Sequence, residues 1–413
     1  MSDSSVDHVI IIGAGPLVAP AYRLAREVLG LATIGVDRDG TALAQVGADI
    51  AAFVSTKDVE AVVAEMQRLA AAYRIVGVFT CGADVEVTVA AVAEALGLPC
   101  IPLEVARRCN DKVAMHRFLD QRGFTAKARW ALVHSLEEAQ RAVARIGFPC
   151  VLKPIDNCAS RGVQIIADPT LLAEAFTLAA ESNIGAAGVL LEEALAGSKH
   201  TVEMIVENGQ WHLLSIIDTH YISPRWPCET GLETTSLPEA EQQRAFEFAA
   251  AVARDFGIDF GCHKIDINRA ADGTLTLIEL TARLSGGFHC QIVSPLAFGS
   301  NDILAGLKMA CGLGLDASAI AHKWQRGAAV RCAFPAPGRL MHIDTTAAQA
   351  VPGVREVFVM RRLGDIVGPY LNSADRPAFV IAEGATTAEA IATAEAAVAL
   401  LVLETEALQD QEA

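Results

Sequence analysis

Two acidic residues and one arginine stand out because they interrupt stretches that are otherwise apolar. Glu279 lies within Leu277–Phe288 (LIELTARLSGGF), where Arg283 and the flexible Ser285-Gly286-Gly287 follow it, and Asp266 lies within HKIDI. Burying a carboxylate at the end of an apolar strand is unfavourable unless a cation lies against it. That cation is either Arg283 or a divalent metal, which prefers carboxylate oxygens. The group suggests Mg²⁺ with phosphate, and the plainer alternative is a hairpin with a surface ion pair.

The segment between the two acidic residues predicts how they are brought together. Ala271-Asp272-Gly273 is a turn signal between two apolar stretches, which is the pattern of a β-hairpin. We therefore expect Asp266 and Glu279 to lie side by side on adjacent strands.

Two lysines precede this hairpin in the chain. Lys153 ends the apolar strand Pro149–Lys153, and small polar residues at 156–162 separate it from the returning strand Val163–Ile166. The backbone N–H groups of such a flap can cover phosphate oxygens while the lysine supplies charge. The motif GxxxxGK[ST] is absent, so this is not a P-loop. A solvated lysine at a strand end is the alternative for Lys153, and Lys112 begins an earlier helix.

The first 105 residues alternate short apolar strands with helices, which predicts an open parallel α/β domain. The first strand is followed by Gly13-Ala14-Gly15-Pro16, and the second ends at Asp37. This is similar to a dinucleotide-binding motif, but Val18 occupies the third glycine position and Pro16 has no N–H to donate to a phosphate. A structural turn is therefore the favoured interpretation.

The later elements are predicted from turn signals. Asn208-Gly209 predicts a hairpin between Thr201–Glu207 and Trp211–Ile217, and Asp218–Pro238 is predicted to be a long irregular loop with a function. Residues 326–385 alternate short strands and turns, and a helix follows at Thr386–Leu403. We predict four units, at residues 1–105, 106–187, 188–324 and 325–413.

The composition favours a cytoplasmic globular protein. The 413 residues are 52% hydrophobic and 20% charged, which suggests about three domains with sizeable cores. A net charge of −16 argues against a nucleic-acid partner, and ten cysteines without CxxC pairs suggest reduced thiols. The polar N-terminus is not a signal peptide, and the apolar stretch Ile391–Leu403 is too short to span a bilayer.

The ordered set of Lys112, Lys153 with its flap, the strand end Glu192–Leu195, Asp266 and Glu279–Gly287 resembles the ATP-grasp superfamily, which joins a carboxylate to a nucleophile using ATP. The stretch PGVREVFVMRRLGDIVGPYLNSADRPAFVIAEGAT looks like the last domain of the L-amino-acid ligase branch. The resemblance covers nearly the whole chain. It implies an N-terminal open parallel α/β domain, an ATP-grasp fold and a small α+β C-terminal domain. The implied activity joins a carboxylate and an amine through an acyl phosphate, using ATP and two Mg²⁺, with Mn²⁺ as a substitute.

Carried over to this chain, the family pattern implies a nucleotide site in two parts. Lys112 and Lys153 would contact ATP phosphates, and Ser160 and Gly162 would lie in the lid over the β- and γ-phosphates. Glu192 to Leu195 would form the hinge, where the backbone groups of Glu193 and Leu195 read the adenine edge.

The same pattern implies the chemistry at the hairpin. Asp266 and Glu279 would hold the two metal ions, with Glu279 bridging. Arg283 would neutralise the substrate carboxylate and then the acyl phosphate, to which Ser285, Gly286 and Gly287 would donate backbone N–H groups. Lys153, Arg283, Gly286 and Gly287 are thus the implied catalytic groups.

Three positions depart from the family pattern. Thr281 replaces a metal-binding asparagine, and its hydroxyl or a water would be a weaker ligand. Gly197-Ser198-Lys199 replaces Gly-x-Glu, so His200 or Glu203 is expected at the ribose. His263-Lys264-Ile265-Asp266 replaces His-x-Glu, which shortens and shifts the metal carboxylate.

Candidate substrate contacts are aromatic. They are His263, His289, and the loop residues His220, Tyr221 and Trp226. Each histidine is equally well explained by a structural hydrogen bond, although a near-neutral pKa suits a base that deprotonates an amine.

Three other functions stay open. The chain could be an ATP-grasp enzyme that activates bicarbonate or formate, a nicotinamide-dependent oxidoreductase, or a nucleotide-binding regulator without turnover. The expected partners are a small-molecule carboxylate and amine, with a second copy of the chain as a further candidate and with no nucleic acid and no membrane.

Overall fold

In the computed structural model, which describes residues 6–316, 320 and 323–408, the N-terminal strands form an open parallel sheet in the order β3-β2-β1-β4. The α/β architecture predicted for this part is confirmed. Its elements are β1 (His8–Ile12), α1 (Ala19–Glu27), β2 (Ala32–Val36), α2 (Gly40–Gln45), β3 (Ile50–Ala52), α3 (Val59–Ala70), β4 (Ile75–Phe79), α4 (Glu86–Leu96) and α5 (Leu103–Asn110).

A second, antiparallel sheet has the order β5-β8-β6-β7 and carries the flap between β6 and β7. Its elements are α6 (Lys112–Gln121), β5 (Trp130–Val133), α7 (Leu136–Ile146), β6 (Cys150–Pro154), β7 (Gln164–Ile166), α8 (Leu172–Glu181) and β8 (Val189–Glu193). Apolar residues of α7 and α8 pack against its strands, so the sheet has a small core of its own.

A third sheet has eight strands in the order β13-β12-β9-β10-β11-β14-β18-β16, and a small fourth sheet has the order β17-β15-β19. The remaining elements are β9 (Ser198–Glu207), β10 (Gln210–Tyr221), β11 (Glu229–Thr234), α9 (Glu239–Asp255), β12 (Gly261–Arg269), β13 (Leu275–Thr281), α10 (Ser294–Phe298), α11 (Asp302–Ala310), β14 (Gly327–Ala333), β15 (Gly338–Asp344), α12 (Thr346–Gln349), β16 (Val354–Val359), β17 (Ile366–Val367), β18 (Ala378–Gly384), α13 (Thr387–Leu400) and β19 (Val402–Glu406). Single helical turns lie at His289–Val293 and Ser373–Asp375.

Both predicted hairpins are present. β12 and β13 pair antiparallel with Asp266 opposite Glu279, and the side chain of Asp272 caps the turn by accepting from Thr274 N at 2.9 Å. β9 and β10 pair about Asn208-Gly209, and both turn residues have positive φ. Local turn chemistry and apolar patterning therefore determine the elements that carry the acidic pair.

The segment 218–238 differs from its prediction. β10 extends to Tyr221 and Glu229–Thr234 forms β11, which lies between β10 and β14 in the large sheet. The charge of Glu233 would disfavour this buried strand, but Arg331 and His220 neutralise it at 2.9 and 2.5 Å. Because both partners lie outside β11, the sequence of β11 alone does not indicate that this segment forms a strand.

The C-terminal region also differs from its prediction in two details. β14, β16 and β18 continue the large sheet across the predicted boundary at residue 325, and the last predicted helix ends at Leu400 and is followed by β19. The division into four units stays a prediction. Two sheets cross its boundaries, since β8 lies beyond residue 187 but belongs to the second sheet, and the large sheet extends past residue 325.

All ten cysteines lie in the described ranges and are free thiols, as expected from their spacing. Within those ranges, no helix combines the length and the apolar character needed to cross a bilayer.

Candidate active site

A cavity of about 750 Å³ lies where the three larger sheets meet. Such a volume is within the range of sites that enclose a small-molecule ligand. The candidate residues on its wall are Lys112, Lys153, Ser160, Glu192, Glu193, Leu195, His200, Tyr221, Asp266, Glu279, Arg283, Ser285, Gly286 and Gly287. The fold thus brings most of the residues chosen from the sequence to one place.

Glu279 faces this cavity from β13, and Asp266 from β12. The Asp266 carboxylate is held by Thr201 Oγ1 and by Lys264 Nζ, each at 2.6 Å. Burial opposes ionisation of Glu279, but the charges of Lys112, Lys264 and Lys153 outweigh it and hold the pKa of Glu279 below its ordinary value. Glu279 makes no hydrogen bond or ion pair with the described residues, so both of its oxygens are available to a ligand.

This pair of carboxylates fits Mg²⁺ bound together with phosphate. Across the described residues, no group of three or more His, Cys, Asp or Glu side chains is placed to hold a metal ion by itself. Mg²⁺ in nucleotide sites is commonly held by one or two carboxylates, with phosphate oxygens and water completing its shell. The hydroxyl of Thr281 is buried without a hydrogen-bond partner among the described residues, but Thr281 is not on the cavity wall.

Lysine side chains also line the cavity. Lys153 contacts Glu192, whose other oxygen lies 2.7 Å from His116 Nε2. Burial opposes ionisation of Glu192, yet Lys153 and His116 lower its pKa to about 2, so the carboxylate stays charged. Lys199 is also on the wall, where burial and the charge of Lys153 lower its pKa to about 8.

The flap after β6 lies against the cavity, and its residues 157–160 line the wall. Lys112 Nζ donates to Asn157 O at 3.2 Å, and Ser373 N donates to Ala159 O at 2.9 Å. Ala159 and Ser160 have φ of 55° and 59°, a conformation that costs free energy in residues with a side chain. The flap is therefore held closed by contacts with two other parts of the chain.

Arg283 also lines the cavity and is paired with Asp84, a residue that the sequence reasoning missed. Asp84 follows β4 and lies 199 residues away in the chain. Burial opposes its ionisation, but Arg283 keeps the pKa of Asp84 well below its usual range. A single acid after a strand has no distinguishing pattern, so only the fold reveals this pair.

Two glycines allow the Asp84 loop to approach the loop after β13. Gly82 N donates to Leu284 O at 3.2 Å, and a Cβ on Gly82 would lie 3.4 Å from the Gly286 Cα. Gly82 also has φ +67°, so a side chain there would be strained. Glycine at 82 and 286 therefore positions Asp84 against Arg283.

Glu203 and His289 lie behind the cavity wall, which corrects their predicted roles. Glu203 is fully buried and accepts the N–H of Ser285, so it supports the loop and does not reach a ribose. His289 Nε2 lies 2.7 Å from Ser215 Oγ, and burial lowers the pKa of His289 to about 4. A structural role, through its contact with Ser215, therefore fits His289 better than contact with a substrate.

Three further candidates also lie off the wall. His263 Nε2 bonds to Phe260 O at 2.8 Å, and burial lowers the pKa of His263 to about 4. Trp226 contacts the guanidinium of Arg225 at 4.9 Å. Gly162 packs against Ser182 and has φ +72°, so it shapes the flap. Substrate contact by His263 or Trp226 is therefore not supported, and Gly162 acts through the flap only.

Of the candidates on β9 and β10, two line the cavity and one does not. Tyr221 is on the wall, whereas His220 is engaged with Glu233 at 2.5 Å and is not. His200 is on the wall, with Nδ1 2.6 Å from Asp218 and Nε2 2.7 Å from Ser198. His200 is thus the expected ribose contact that remains in reach of the cavity.

Comparison with known proteins agrees with this geometry. Residues 22–100 match the ATP-grasp N-terminal domain, residues 146–291 the ATP-grasp domain, and residues 331–406 the L-amino acid ligase C-terminal domain 2. The chain belongs to the ATP-grasp superfamily. Within that class, its C-terminal region is similar to that of the L-amino-acid ligases.

Individual relatives are more distant. The structure of the L-amino acid ligase from Bacillus licheniformis has a TM-score of 0.84 and 21% identity, covering 97% of this chain and 99% of that one. The Hydrogenobacter thermophilus 2-oxoglutarate carboxylase biotin carboxylase domain, solved as a dimer with MgADP, ADP and bicarbonate, has a TM-score of 0.72 and 17% identity, covering 96% and 90%. The D-alanine–D-alanine ligase of Xanthomonas axonopodis is 30% identical over 168 residues, which is 37% of this chain and 48% of the relative.

Proposed function

We propose that this protein is an ATP-dependent ligase that joins a carboxylate to an amine through an acyl phosphate, with an amino acid as a substrate. The observation that carries the proposal is that one cavity brings these charges together. Lys112 and Lys153, the opposed carboxylates Asp266 and Glu279, and Arg283 with Asp84 all line its wall.

The nucleotide is assigned to the lysines and the flap. Lys112 and Lys153 would balance phosphate charge, Ser160 would close over the phosphates with the flap, and the backbone of Glu193 and Leu195 would contact adenine. Asp266 and Glu279 would hold Mg²⁺, or Mn²⁺ in its place, which supplies charge stabilisation for phosphoryl transfer. The MgADP bound by the Hydrogenobacter carboxylase domain, which has the same fold, supports this assignment.

The acid substrate is assigned to Arg283 and Asp84. These two side chains present opposite charges at adjacent points of the wall, which matches an α-amino acid with a carboxylate and an ammonium group. The substrate carboxylate would replace Asp84 on Arg283, and its ammonium group would bind Asp84. This match favours an amino acid over bicarbonate or formate, neither of which carries a positive charge.

The reaction then needs two steps. A carboxylate oxygen attacks the γ-phosphorus and ADP leaves, which gives the acyl phosphate; the amine attacks the acyl carbon, phosphate leaves, and one proton is released. Arg283 and the N–H groups of Gly286 and Gly287 would stabilise charge on the transferred phosphoryl group. The closed flap would exclude water, which otherwise hydrolyses the acyl phosphate.

A matrix of amino-acid pairs with Mg²⁺ and ATP tests the proposal. We expect a product whose mass is the sum of two amino acids less one water, with one ADP and one phosphate formed per product. ATP consumption with bicarbonate or formate but with no amino-acid pair would support the carboxylase alternative. If no mixture consumes ATP, that result would contradict ligase activity and favour a nucleotide-binding regulator. That the protein forms a homodimer in solution is a separate prediction.

A further inference from the structure

The cavity wall carries a third guanidinium that differs from the other two. Arg283 is paired with Asp84, and Arg376 is paired with Glu229 at 2.5 Å. Arg361 is on the same wall, and the hydrogen bond it makes runs from Nη2 to Ala374 O at 2.9 Å. Within the described residues, no Asp or Glu oxygen lies within 4 Å of the Arg361 guanidinium.

A hydrogen bond to the backbone holds Arg361 at the cavity wall. Ala374, which accepts its hydrogen bond, also lines the cavity, so the guanidinium is anchored at the wall. Arg361 is half-buried and has further N–H groups to donate. A half-buried guanidinium with one hydrogen bond to the backbone, and with no acidic partner in the described part of the chain, is suited to bind a carboxylate through two parallel hydrogen bonds.

That carboxylate is distinct from the one that is activated. In the proposed function, on which this inference rests, Arg283 takes the carboxylate that receives the phosphoryl group. The other cavity arginine, Arg376, borders Gly287 and is already neutralised by Glu229. Arg361 is therefore the guanidinium on this wall that is available to a second anionic group.

We propose that Arg361 binds a second carboxylate of the reactants, one that is not activated, and so makes the enzyme select substrates that carry it. The carboxylate belongs either to the amine substrate, when that is itself an amino acid, or to the side chain of an acidic acyl donor. In both cases the product keeps a free carboxylate that lies against Arg361.

Two arms of one experiment separate these sources. In the first arm, for a pair that the enzyme joins, the amine substrate is supplied either as the amino acid or as its carboxamide, which lacks the free carboxylate. In the second arm, an acidic acyl donor is compared with its side-chain amide. The variants are Arg361→Met and Arg361→Lys, and Arg362→Met is the matched control, because Arg362 is an exposed neighbour outside the cavity wall.

We expect Arg361→Met to raise KM about 10-fold or more for the substrate with the second carboxylate, the size expected for a charge-assisted hydrogen bond. The neutral analogue should be unaffected, kcat at saturation should change little, and Arg361→Lys should restore part of the preference. The arm that responds identifies the source of the carboxylate. The inference would be overturned if Arg361→Met changed KM equally for acid and amide in both arms, or if its effect equalled that of Arg362→Met. A wild-type enzyme that joins no pair would instead overturn the proposed function itself.

Discussion

Glu279 is the residue on which phosphoryl transfer depends most directly. Replacing it with glutamine keeps its volume and removes a charge that makes no hydrogen bond or ion pair with the described residues. We expect ATP-dependent turnover to fall by about 100-fold or more, as when one preorganised electrostatic contact is lost. Phosphate release under saturating ATP measures this, with circular dichroism to verify the fold.

Asp272→Asn is the matched control for this change. Asp272 is exposed at the turn of the same hairpin, so its substitution should leave turnover near the wild-type rate. Turnover by the Glu279→Gln variant close to that of this control would contradict the metal assignment.

Asp302 should make stability depend on pH near neutrality. It is fully buried at the start of α11, and burial, followed by the charge of Glu203, raises its pKa to about 7. Because the folded state holds this proton more tightly than the unfolded state, its stabilising contribution is full at acidic pH and is lost as pH rises through about 7. Asp302→Asn cannot ionise, so its melting temperature should fall less than that of the wild type between pH 5 and 8.

Thermal unfolding at several pH values checks this, with Asp259→Asn as the control. Asp259 is exposed in the loop before β12, so its variant should follow the wild-type curve. Parallel curves for all three proteins would mean that Asp302 is not the group responsible.

Three of the predicted site residues that line the cavity share one property. Asp266, Glu279 and Arg283 lie beside local signals: an apolar strand, a turn and a glycine pair. Asp84 was missed and Glu203 was misplaced because their surroundings are set by chain segments more than 80 residues away, at Arg283 and Ser285. Local sequence identifies a polar residue in an apolar segment, but it does not indicate which side of a wall that residue faces.

At the scale of elements, the same contrast between local signals and distant partners applies. The hairpin β12–β13 closes through its own turn, so alternation and Asp272-Gly273 were enough to predict it. β11 depends on Arg331 from β14 for the neutralisation of Glu233, and it was predicted as an irregular loop. Elements stabilised within themselves were predictable, and those stabilised by distant partners were not.

The flap offers a prediction at this scale. Its closed position depends on the hydrogen bond from Ser373 N to Ala159 O, and Ser373 begins a single helical turn after Asn372, whose backbone is extended. Proline fits the first position of such a turn and removes the N–H. One lost hydrogen bond, worth about 1 kcal/mol, should raise KM for ATP about 5-fold and increase ADP formed per amide product.

Ser373→Ala is the control, since it keeps the N–H and removes the hydroxyl that accepts from Glu229 N at 3.2 Å. The ratio of ADP to amide, measured for both variants, separates the two effects. If proline and alanine give the same ratio, the bond to the flap does not govern closure.

At the scale of the whole molecule, the cavity exists only where distant parts of the chain meet. Asp84 comes from the N-terminal sheet, Lys153 from the second sheet, Glu279 from the large sheet, and Arg361 from the C-terminal region that continues it. The resemblance to ATP-grasp proteins predicted this order of parts. It did not predict that the last region would add strands to the same sheet and arginines to the same wall.

The most direct test of the account is the fate of the oxygen atoms in the activated carboxylate. For a pair that the enzyme joins, the acid is supplied with ¹⁸O in its carboxylate, together with Mg²⁺ and ATP. Attack of that carboxylate on the γ-phosphorus predicts ADP and inorganic phosphate carrying one ¹⁸O for each amide formed. Unlabelled phosphate, or AMP in place of ADP, would contradict phosphoryl transfer between Asp266, Glu279 and Arg283.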